Sequence, residues 1–126
     1  MQTTKLEVLH SEHREWLNKI DFYYDDLTVF RRRLEEVASR NTSRDLMAKV
    51  EHFQNQFLIQ RNELDELKHA IREAEAMVEQ SVQQNGTAVN RRSLPDDGSL
   101  RERVNRFEQL FHQFRKDLIA FLSKTL

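Results

Sequence analysis

The chain reads as an all-α protein, an antiparallel three-helix bundle, on three observations. Leu46 to Val82 runs thirty-seven residues without Pro or Gly, and its apolar side chains return every three and four positions, the period of a long helix. In heptads, Val50, Phe57, Leu64, Ile71 and Val78 form an a row, and Leu46, Phe53, Gln60, Leu67 and Ala74 form a d row. A second stretch before it repeats the pattern, with Leu6, His13, Ile20, Leu27 and Leu34 on one row and Leu9, Trp16, Tyr23, Phe30 and Val37 on the other. The third observation is that the two stretches fit each other. A turn as short as the one between them forces an antiparallel hairpin. Residues whose numbers total 84 then meet, Leu34 with Val50, Leu27 with Phe57, Ile20 with Leu64, His13 with Ile71, Leu6 with Val78, and a total of 83 matches the d rows.

In chain order, Thr4 and Glu7 have the spacing of a capping box and start helix one, expected over about 4–40. Asn41 is a residue type that tolerates the left-handed conformation at a helix end. Either Thr42 with Asp45, or Ser43 as the cap itself, then starts helix two, expected over about 43–83. The polar d residue Gln60 falls opposite Tyr23, whose phenol is placed to hydrogen-bond it and so to fix register. Both glycines and the single proline lie within 84–98, which predicts a flexible loop. Ser99 and Glu102 repeat the capping spacing ahead of helix three, about 99–124. Its rows are Val104, Phe111, Leu118 and Leu100, Phe107, Phe114, Phe121.

At 126 residues the expectation is a single domain, 1–126, large enough to bury a core without staples. Twenty basic against twenty-one acidic side chains give no global field toward nucleic acid or an anionic membrane. The Arg31, Arg32, Arg33 run with Arg40, Arg44 and Lys49 is interleaved with Glu35, Glu36, Asp45 and Glu51 and has no aromatic stacking platform, which argues against nucleic acid. The absence of cysteine fits a reducing compartment, Met1 to Leu9 do not make a signal peptide, and no run reaches membrane-spanning length. A cytoplasmic protein is expected.

Length adds a functional expectation. At 1.5 Å per residue helix two spans roughly 55 to 60 Å and helix one roughly 55 Å, but helix three only about 40 Å. Helix three should therefore cover the hairpin only to about Phe57 and Leu27. The end nearest the Asn41 turn would keep Phe30, Leu34, Val37, Leu46, Met47, Val50 and Phe53 open on one side, widened by Phe22, Val29, Leu58 and Ile59. A patch of that kind marks an interface. The expectation is a non-enzymatic protein acting through protein–protein association, as a homodimer or with a helical partner, and without a cofactor.

The histidines carry the alternative. His13 lies on the first helix, His52 and Gln56 have His-x-x-x-Gln spacing, His69 precedes Glu73 by four, and His112 precedes Asp117 by five. That order resembles the ligand pattern of the hemerythrin family, with Gln56 and Glu73 standing at ligand positions. The resemblance implies a metal-binding bundle with His13, His69, Glu73, His112 and Asp117 as candidate ligands. In an unbroken helix two, His52 lies seventeen residues from His69, about 25 Å along the axis, so the full set needs a break near Arg61 and Asn62. No nucleophilic triad, phosphate-binding glycine loop or paired carboxylate cleft is readable, and no catalytic residue is expected.

Overall fold

A computed structural model describes residues 5–41, 43–84 and 97–125, and these form the expected all-α three-helix bundle. Helix α1 is Lys5–Arg40, α2 is Arg44–Gln84 and α3 is Asp97–Thr125. Ser43 caps α2: its hydroxyl accepts from the backbone N–H of Leu46 at 3.3 Å and its carbonyl from Met47 at 3.0 Å. Among the described residues no non-glycine φ is positive, so Asn41 does not take the left-handed conformation expected of it. Helix α3 starts at Asp97, which places Ser99 inside its first turn rather than at the cap. Thr4, Thr42 and residues 85–96 of the expected loop lie outside the described residues.

The principal pairing is between α1 and α2, and the rows expected to face each other are buried between them. Ile20, Leu34, Val37, Val50, Leu64 and Ile71 are all at most 2 % exposed, as an interdigitated a/d seam requires. Beyond His13 the seam ends in a separate small cluster of Leu6, Leu9 and Val78. Helix α3 lays Leu100, Val104, Phe107, Phe111, Phe114, Leu118 and Leu122 into the groove on one side of the hairpin. Its rings meet those of the hairpin, Phe107 and Phe111 on Tyr23 and Phe114 on Phe57 at 5.1 Å.

Three charged pairs fix how α3 lies on α1. Arg101 forms a two-pronged bond to Glu12 with both contacts at 2.8 Å, Lys19 reaches Glu108 at 3.4 Å, and Arg115 reaches Asp26 at 3.6 Å. Every pair has the same offset of 89 residues, so the two helices run in the same direction. The donors and acceptors recur at heptad spacing on the edge of α1 beside the d row, and their signs alternate along the ladder.

Two expectations are corrected here. The hairpin end near the turn is not bare: α3 reaches past Phe57 and Leu27, with Phe121 against Phe53 at 5.1 Å and Arg115 over the Phe30 ring at 5.6 Å. Leu34, Val37, Val50 and Phe53 are consequently buried within the chain itself, and Phe30 and Leu46 are half-buried. The Tyr23–Gln60 bond does not form either. Tyr23 donates instead to Glu108 at 2.9 Å, across the neighbouring groove, and Gln60 is left buried with an unpartnered Oε1.

The core assignment predicts the outcome of one substitution. Trp16 is 6 % exposed in the cluster that holds Leu67, Ile71 and Phe111. Trp16→Ala should cost about 3 to 5 kcal/mol in urea unfolding, the range for truncating a buried aromatic; a loss below about 1 kcal/mol would contradict this packing.

Candidate functional site

The imidazoles and carboxylates of the metal reading do not converge. His69 points outward and pairs with Glu73 at 3.0 Å on the same exposed face of α2. His112 is exposed, set edge-on to the Tyr23 ring at 6.5 Å, and Asp117 accepts from Gln113 at 2.9 Å on the outside of α3. Helix α2 is continuous through Arg61 and Asn62, so His52 and His69 stay seventeen residues apart on one rod. His13 is fully buried and its Nδ1 lies 3.1 Å from Glu75 Oε1, while His10 Nδ1 takes the other oxygen, Oε2. An ionised carboxylate can only accept, so each Nδ1 is the donor in this arrangement. Glu75 therefore serves as a bridge that ties α2 to two turns of α1. Among the described residues no group of three or more His, Cys, Asp or Glu side chains is arranged to hold a metal ion.

The surface residues of the association reading divide by helix face. Exposed and outside every seam are Phe22 at 60 %, Val29 at 51 %, Leu58 at 62 % and Ile59 at 51 %, with Met47 at the margin. At 100° per residue they are not one strip. Phe22 and Val29 share a row on the flank of α1 toward α3, Ile59 lies on the corresponding flank of α2, and Leu58 belongs to the face of the hairpin turned away from α3.

That third face holds a cleft of about 480 Å³ between α1 and α2. Its floor is the buried seam itself, Leu27, Leu34 and Phe57, and its walls carry Tyr24, Thr28, Arg31 and Glu35 from α1 and Gln54, Leu58 and Arg61 from α2. One end of the cleft is closed by a polar cluster. Tyr24 donates to Asp65, and Lys68 lies 5.3 Å over the Tyr24 ring and 3.9 Å from Asp21. Arg31 is held by Glu35 at 3.4 Å, one turn along the same helix. Arg61 has no ion-pair partner among the described residues, although its charge acts on the Tyr24 phenol.

Sequence reasoning missed the charge ladder to α3, the Glu75 bridge and this cleft. The first two had a signal: Glu12, Lys19, Asp26 and Arg101, Glu108, Arg115 are heptad-spaced with complementary signs, and His10 and Glu75 face each other in the hairpin register. The cleft had none, since it reflects side-chain direction on one level of the seam. No protein-family model, curated protein or solved structure matches this chain.

Two measurements follow from the polar groups. Gln60→Leu removes an orphaned buried acceptor while keeping side-chain bulk, so it should raise stability by about 1 kcal/mol, seen as a higher urea midpoint at unchanged slope. The tyrosines should ionise late. Burial first, then the hydrogen bond to Asp65, lifts Tyr24 to about 12, with Arg61 opposing; burial and Glu108 lift Tyr23 further above the ordinary value of 10.0. Phenols of the unfolded chain lose their protons first, so stability from these groups is complete below about pH 10 and declines as pH rises toward about 12. Absorbance titration of phenolate, with and without urea, checks the order: a native titration centred near 10 would contradict it.

Proposed function

We propose that this protein is a non-enzymatic association module and that its working form is a homodimer. The observation that carries the reading is the group of large apolar side chains in the half of the hairpin toward the turn, Phe22, Val29, Leu58 and Ile59, each at least half exposed; Val8, Val82 and Leu110 are as exposed but lie apart from them. The four of the group sit on the flanks and the uncovered face. Single exposed apolar residues are common on monomers, but several large ones at one end of a bundle, on adjoining faces, support an association surface on one of those faces. The remaining architecture fits that role, because closely packed rods with their polar groups tied in ladders leave little that could rearrange around a substrate. A two-fold arrangement is the simplest use of such a surface, since one patch then serves both partners.

Sedimentation equilibrium on the unsubstituted protein tests this. A dimer with Kd at or below about 10 μM is expected, the strength that roughly 1,000 Å² or more of buried area supports. A monomer persisting at 100 μM would remove the homodimer.

A further inference from the structure

The homodimer reading leaves open which face two copies would share, and the cleft discriminates among the candidates. On the hairpin face opposite α3 the rows fall in a fixed order. The inner rows, next to the seam, carry Arg31 on α1 and Arg61 on α2. The outer rows carry Glu35 on α1, and Glu51, Leu58 and Asp65 at heptad spacing on α2. A basic centre is thus bordered by acidic edges, with an apolar hole in the middle and an exposed apolar side chain, Leu58, on its rim. Such a face is complementary to itself once two copies are offset by one row. The flank bearing Phe22 has its own hollow of about 340 Å³, but it is lined from α1 alone, by Glu15, Asn18, Lys19, Phe22 and Tyr23, whereas the cleft is walled by both helices and floored by core residues of both.

Resting on the homodimer reading, we infer that a second copy of this chain occupies the cleft. Leu58 of each copy inserts over Leu27, Leu34 and Phe57 of the other, while Glu51 and Asp65 on either side of Leu58 lie over Arg31 and Arg61. The floor residues are core members already held in place, so the hole exists before the partner arrives and association orders few groups. The knob is central and apolar and the charges surround it, the distribution in which central contacts carry affinity and the rim excludes water. The rim charges set offset and orientation, since the alternative alignment places guanidinium on guanidinium. Arg61, without an ion-pair partner among the described residues, gains one in the pair.

The experiment compares three kinds of variant by sedimentation equilibrium, each first shown by circular dichroism to be helical and to unfold cooperatively. Leu58→Glu lies at a site 62 % exposed and leaves the core intact; it should raise the dimer Kd at least a hundredfold. Val29→Glu with Ile59→Glu lies on the flanks and should change Kd less than threefold. The third arm reads charge pairing between chains. Arg31→Glu with Arg61→Glu, and separately Glu51→Lys with Asp65→Lys, should each weaken self-association about tenfold or more, and an equimolar mixture of the two should regain it as a heterodimer. A dimer that tolerates Leu58→Glu but is lost in the Val29 and Ile59 pair overturns this inference and leaves the homodimer standing, through the flanks. A mixture that associates no better than its components overturns it as well, and does so independently of Leu58. An unsubstituted protein that is monomeric at 100 μM removes both readings together.

Discussion

Everything in this molecule hangs on the antiparallel register of α1 on α2. Leu34, Val37, Val50, Leu64 and Ile71 are almost completely buried because each fills the space left by residues on the facing rod. A slip by one turn would exchange large side chains for large ones and open voids, and core packing resists that by several kcal/mol per site. With this rod pair in place α3 has a groove to enter. Its phenylalanines reach both helices between them, Phe107 and Phe111 meeting Tyr23 of α1 and Phe114 meeting Phe57 of α2, which converts a two-helix seam into a common core.

The polar groups divide the labour differently from the apolar ones. His13, buried at one end of the seam, is satisfied through Glu75, and that carboxylate also holds His10, so one acidic residue joins two turns of the facing helix. Tyr23 and Glu108 perform the same service between α1 and α3. Gln60 takes part in neither arrangement, and its Oε1 is buried without a partner. An unsatisfied amide oxygen in the middle of the seam is a local cost of the order of 1 kcal/mol or more. It shows that the core was assembled around aromatic packing, with hydrogen bonding accommodated where a helix edge came within reach.

The hairpin was legible in the sequence because its two helices share one seam, and two heptad patterns joined by a short turn determine each other. The capping serine at 43 was legible as one of two readings for the same reason, that the cap must sit just ahead of the first apolar row. What could not be read was anything that depends on where α3 lies. The partner of Tyr23 was assigned within the hairpin because only the hairpin register was known; the true partner, Glu108, sits eighty-five residues away on the third helix. Closure over Phe53 and Phe30 was missed for a related reason: axial lengths were counted from expected helix ends, and the helix began two residues earlier and reached further along the groove. The histidines show the reverse failure. Spacing along a chain suggested a shared centre, and the uninterrupted α2 distributes those residues over separate faces.

A hairpin has two sides, and a third helix of suitable length and hydrophobicity can cover either, giving bundles of opposite turning sense. The apolar rows barely distinguish them, because a and d residues are reachable from both sides. Glu12, Lys19 and Asp26 do distinguish them, since they lie along one edge of α1 only and meet Arg101, Glu108 and Arg115 in alternating sign. Along the other edge the same helix would meet His10, Leu17, Tyr24 and Arg31, without the alternating carboxylates and ammonium group of the observed edge. Pairs of this kind add little to the depth of the folded state, yet they separate it from its near-mirror topology. Three surface ion pairs and the Tyr23–Glu108 bond all lie on the covered side, and the uncovered face with its cleft is the side they leave open.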